Sequence, residues 1–125
     1  MHSVPFSIDE YEGFLQTRGI VRIEEEAVVL EFKKKEGVLG IPVSGITEKY
    51  IPISELHTVS FKKKFLGARL IIAGHKMSTF AEIPGCQHAE VILSITRQDR
   101  EAAQDLASNL SLRIAEAELR QVDNQ

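Results

Sequence analysis

The sequence predicts a mainly β domain: a curled antiparallel sheet of seven strands, a β-barrel-like meander capped by one C-terminal helix. Three observations carry this expectation. Apolar and polar residues alternate with period 2 from Ile20 to a segment ending near Thr96, the pattern of strands buried on one face. Turn-forming clusters interrupt that alternation at Gly67, at Gly74-His75 and at Pro84-Gly85. Beyond Thr96 the apolar spacing lengthens to that of a helix.

The first strand is expected over Phe14 to Ile23, turning at Glu24-Glu25-Glu26 into a second over Ala27 to Lys34, where Val28, Leu30 and Phe32 share a face. Gly37, Gly40, Pro42 and Gly45 make Lys35 to Thr47 a loop, with room for a short extended piece at Ile41 to Val43. Tyr50 to Ile53 reads as a short third strand containing Pro52, which fits a sheet edge. Leu56 to Lys63 is the fourth, with Val59 and Phe61 inward. Ala68 to Ala73 is the fifth, with Leu70 and Ile72 on one face. Met77 to Ile83 is read as the sixth, and Val91, Leu93 and Ile95 define the seventh. From about Asp99 to Gln121 the chain has no Gly or Pro, and Ala103, Leu106, Ala107, Leu110, Ile114 and Ala117 form one stripe that should close the barrel.

A chain of 125 residues fits one domain, with the barrel at about 14–96 and the helix at about 98–121. Hydrophobic residues at 43% and charged residues at 26% are ordinary globular usage, so disorder and membrane residence are not expected. The start of the chain lacks the positive and apolar regions of a secretory signal, and Cys86 has no second cysteine to pair with, so a cytoplasmic address is the default reading. A net charge of −3 argues against a nucleic-acid partner, which calls for a basic domain.

The run Tyr50-Ile51-Pro52-Ile53-Ser54-Glu55-Leu56-His57-Thr58-Val59, the strand from Gly67 to Gly74, Phe80 and the closing helix together resemble the pattern of bacterial pleckstrin-homology-like domains, over about Gly19 to Leu119. The resemblance implies a binding or oligomerisation module without a cofactor. Family members that bind phosphoinositides carry basic residues around the loop joining the first two strands. On the present strand assignment that loop is Glu24-Glu25-Glu26, whose carboxylates repel phosphate.

Two surfaces stand out. In an up-and-down meander, Lys33, Lys34 and Lys35 at the end of the second strand and Lys62, Lys63 and Lys64 at the end of the fourth gather at one pole, beside Arg69 and opposite Glu24 to Glu26. Phe65 and Leu66 sit between these cations, and a tip of this kind can dip into a lipid headgroup layer while lysines meet anionic lipid. The commoner arrangement is that Phe65 and Leu66 fold back onto the core and the lysines blunt an edge. On the helix, Leu112, Ala115, Leu119 and Val122 fall about half a turn from the core stripe and suit packing against a second copy; the plain alternative is a frayed helix end.

Other chemistry does not rise above background. Cys86 and His88 offer two ligands, but His2, His57 and His75 show no recognised spacing to complete a tetrahedral metal site, so neither metal nor cofactor is expected. There is no nucleophile elbow or phosphate-cradling loop, and His57 beside Glu55 reads as structural, so no catalytic residue is assigned. The expected function is a non-enzymatic interaction module, protein-binding or self-associating. Peripheral attachment to anionic membranes through the basic pole is the alternative. A small-ligand carrier is disfavoured because apolar side chains fill a barrel of this size.

Overall fold

In the computed structural model, which describes residues 3–10, 15–36 and 45–123, the alternation of Val4, Phe6 and Ile8 with Pro5, Ser7 and Asp9 forms the first strand, β1 (Val4–Glu10). The strand expected at Phe14 to Ile23 is therefore not the first of the sheet, and β1 precedes it. Pro5, which lacks an N–H, lies one residue from the strand start, where the loss of a donor is tolerated. The remaining strands are β2 (Leu15–Glu24), β3 (Ala27–Glu36), β4 (Thr47–Pro52), β5 (Leu56–Lys63), β6 (Gly67–Gly74) and β7 (Glu90–Thr96), followed by the helix α1 (Arg100–Asp123). The extended piece considered at Ile41 to Val43 lies outside the described residues.

The expected strand at Met77 to Ile83 is instead a succession of tight turns, with hydrogen bonds from Thr79 N–H to Lys76 O, Ala81 N–H to Ser78 O and Ile83 N–H to Phe80 O. The side chains that turn inward here are Thr79, Phe80 and Ile83, a turn spacing rather than a strand spacing. Seven strands are present as expected, but β1 takes the place of that segment.

The sheet order is β4-β3-β2-β1-β7-β6-β5, antiparallel throughout. Two hairpin series, β1 to β4 and β5 to β7, are therefore joined where β1 meets β7, and that seam holds a single registered pair, Ser7 with Ser94. The two edge strands, β4 and β5, are linked by only a 3-10 turn, Ile53–Glu55. Edges that close in the chain cannot lie at the two ends of a flat sheet, so the sheet curls into a roll. Ile53 N–H bonds Glu26 O at 2.8 Å, and Lys49 Nζ meets Glu82 at 3.2 Å, tying the β6–β7 connection to β4.

Inside the roll, Val4, Phe6, Val21, Val28, Leu30, Ile51, Leu70, Ile72, Val91 and Leu93 are all buried, with Phe80 inserted from the β6–β7 connection. The expected inward faces of the strands from Ala27 onward are observed, although Val59 and Phe61 are only partly covered. Gly19, paired with Phe32, permits the closest strand approach: a Cβ there would lie 2.0 Å from Glu31 O. α1 packs mainly on β5 and on the 3-10 turn, and the whole predicted stripe from Ala103 to Ala117 is buried. Burial of each large member, such as Leu106, Leu110 and Ile114, is worth about 1.5–3 kcal/mol.

Candidate functional site

The β5–β6 hairpin ends with Lys63 opposite Ala68, and Lys64 N–H bonds Gly67 O at 2.8 Å, leaving Phe65 and Leu66 as a two-residue tip. Gly67 fixes how close this hairpin comes to β7, because a Cβ there would meet Ile95 O at 2.3 Å. The tip projects outward. Phe65 is 88% exposed and Leu66 73%, so they do not fold back onto the core as the commoner arrangement would have them.

Lys62, Lys63 and Lys64 are exposed along the same hairpin. Two cations not identified from sequence join them: Arg97, in the 3-10 turn after β7, and Arg100, which donates from Nη1 to Lys64 O at 2.9 Å. The nearby Asp99 carboxylate accepts a bond from the Thr96 hydroxyl at 3.0 Å. The signal for Arg97 and Arg100 was their place at the strand-to-helix junction, which this strand order sets beside the β5–β6 tip.

The two lysine runs do not gather at one pole. Because β4 and β5 are opposite edges rather than a hairpin pair, the meander argument fails between them. Register shows instead one transverse row, Lys33, Arg18, Ser7, Ser94, Arg69 and Lys62, each aligned with the next. Lys33 and Lys62 thus lie five strand spacings apart, on the order of 24 Å along the curved sheet at about 4.8 Å each. From this row β3 continues through Lys34 and Lys35 toward Glu10, whereas β5 continues through Lys63 and Lys64 toward Thr96. Arg69 belongs to the outer sheet face rather than the tip, in a groove of about 680 Å³ that also contains Asp9, Glu10, Ile92 and Ser94.

The acidic turn lies well away from the tip. Arg113 Nη1 donates to Glu25 O at 2.8 Å and Arg120 meets Glu26 at 3.2 Å, whereas Arg100, near the other end of α1, reaches Lys64. The helix rise of about 1.5 Å per residue separates Arg100 from Arg113 by roughly 20 Å. With β1 in place, Glu24-Glu25-Glu26 joins β2 to β3, and the loop between the first two strands is 11–14, outside the described residues. Carboxylate repulsion of anions therefore belongs to the β2–β3 turn.

On the outer face above that turn, Arg22 is held by Glu24 at 2.9 Å, Glu31 at 2.6 Å and Glu48 at 3.3 Å. Hydrogen bonds to Glu24 and Glu31 raise the guanidinium further above its ordinary value. The Glu48 carboxyl is held below the usual range by its bond with Glu31, then by that with the Tyr50 hydroxyl and by Arg22. Tyr50 is pushed up in turn by Glu48. One cation among three carboxylates leaves this recess acidic.

Leu112, Leu119 and Val122 are 60%, 66% and 66% exposed, and Ala115 is exposed between them, so the second apolar stripe of α1 is uncovered. Among the described residues, no helix is long and apolar enough to cross a membrane. Comparison of the chain with protein-family models, with curated proteins and with solved structures gave no match.

Proposed function

We propose that this chain is a non-enzymatic interaction module of the pleckstrin-homology-like type that attaches peripherally to anionic membrane surfaces through its β5–β6 tip. The observation that carries the reading is the exposure of Phe65 and Leu66 at a hairpin apex flanked by Lys62, Lys63 and Lys64. Two large apolar side chains held in water at a turn gain free energy by entering the interfacial layer, and each lysine or arginine near an anionic surface adds about 1 kcal/mol. Arg97 and Arg100 extend the cationic rim. The strand order, with a closing helix across the roll, supports the family resemblance read from the sequence.

Co-sedimentation with phosphatidylserine-containing vesicles, compared with pure phosphatidylcholine, tests the reading. Binding is expected only with the anionic lipid, is weakened by added salt, and is lost in K62E/K63E/K64E; F65S/L66S reduces it at every salt concentration. Absence of pelleting at low salt, or pelleting that survives the charge reversal, refutes it.

A second reading, self-association or protein binding through α1, is supported by the uncovered stripe of Leu112, Ala115, Leu119 and Val122. Light scattering across a concentration series separates the two: a mass that rises with concentration in the wild type but not in L112D/L119D assigns this face to a second copy.

A further inference from the structure

We propose that His57, His75 and Glu118 form a binding site for one transition-metal dication of the zinc class. One ligand atom from each of these three side chains lies within 4.8 Å of the other two, and the imidazole centroids of His57 and His75 are 5.3 Å apart. A tetrahedral ion with bonds of about 2.0–2.1 Å places its donors roughly 3.4 Å apart, so small rotamer changes of exposed side chains close the set.

The backbone prepares this convergence. The β5–β6 ladder passes from Leu56 opposite Gly74 to Thr58 opposite Ala73, so His57 is the extra residue of a β-bulge, a device that re-aims a side chain. His75 follows β6 directly and is anchored by its N–H to Glu55 O at 3.0 Å. Glu118 adjoins Ala117, which is buried against the sheet, and this fixes the helix turn from which the carboxylate reaches across. Among the described residues Glu118 makes no ion pair, so no competing cation holds it.

Donor chemistry selects the ion. Two imidazoles and a carboxylate suit zinc, cobalt, nickel or copper, whereas magnesium and calcium favour all-oxygen sets. Three protein ligands leave a fourth position open to solvent. All three residues are exposed, and a recess of about 220 Å³ beside them, lined by Thr58, Val59, Ser111 and Ile114 as well as His57 and Glu118, gives that position room. An ion here bridges β5, the end of β6 and the C-terminal half of α1, and so clasps helix to sheet.

The test uses the full chain without an affinity tag, stripped of metal by chelator. Zinc titration followed by calorimetry is expected to give one ion per chain, and cobalt should give the strong visible bands of a four- or five-coordinate site. H57A and H75A each weaken binding about tenfold or more, as does E118Q, whose exposed helix position keeps the fold intact, while H88A binds as the wild type. Zinc raises the melting temperature of the wild type and not of H57A/H75A. Wild-type binding no tighter than that of H57A/H75A, or cobalt spectra of a purely octahedral ion unchanged by E118Q, overturns the proposal.

Discussion

The Arg113 guanidinium donates to the backbone carbonyl of Glu25 at 2.8 Å, joining the middle of α1 to the β2–β3 turn. Glu25 has φ +47°, a left-handed conformation, so its carbonyl is presented by a turn whose backbone is itself constrained. Arg113→Ala is expected to cost about 1 kcal/mol in urea unfolding. Arg120→Ala, which removes only an exposed ion pair with Glu26, should change stability by less than about 0.5 kcal/mol. Hydrogen exchange in the last turns of α1 should rise more in the first variant.

His88 and Ala89 both have positive φ, 52° and 61°, between Gln87 and Glu90, which bond each other in both directions at 3.1 and 2.9 Å. This is the backbone of a type I′ turn, where Asn-Gly is favoured and Ala carries strain. Ala89→Gly should stabilise the fold by about 0.5–1 kcal/mol, read as a higher denaturation midpoint at unchanged m value.

Gly67→Ala should destabilise by about 1–3 kcal/mol, because the added methyl group meets the Ile95 carbonyl and the hairpin must move away from β7. Vesicle binding in this variant reports whether the tip acts through its orientation.

Leu110 and Leu112, two residues apart on α1, should behave oppositely. Leu110 is fully buried and its replacement by Ala costs about 2–5 kcal/mol. Leu112 is 60% exposed, so its replacement changes monomer stability by less than about 0.5 kcal/mol.

Burial pushes the Cys86 thiol above its ordinary value. Less thiolate is then present near neutral pH, so alkylation should be slower than for a free thiol and should accelerate only at higher pH. The sign for stability follows: the unfolded thiol loses its proton first, so the contribution is complete below the ordinary thiol range and falls as pH rises through it. A Cys86→Ser variant should lack this alkaline dependence.

Much of the fold was legible because it depends on periodicity. The α1 stripe from Ala103 to Ala117 and the inward faces of β3, β6 and β7 follow from spacing alone. β1 precedes the region from Ile20 in which alternation was read, and the segment around Phe80 is a run of turns whose buried residues follow a turn spacing. The site was legible as composition but not as position: Lys62 to Leu66 stood out, yet only the three-dimensional path shows Phe65 projecting and Lys33 distant. His57 and His75 carry no sequence spacing rule, because a bulge and a strand end bring them together with Glu118.

The lone rung between Ser7 and Ser94 bears on how the molecule is made. β1 and β7 are far apart along the chain, so the two hairpin series have to wait for their meeting, with β1 and β7 each unpaired on one flank until then. Such distant closure slows folding and exposes strand margins to foreign pairing during biosynthesis.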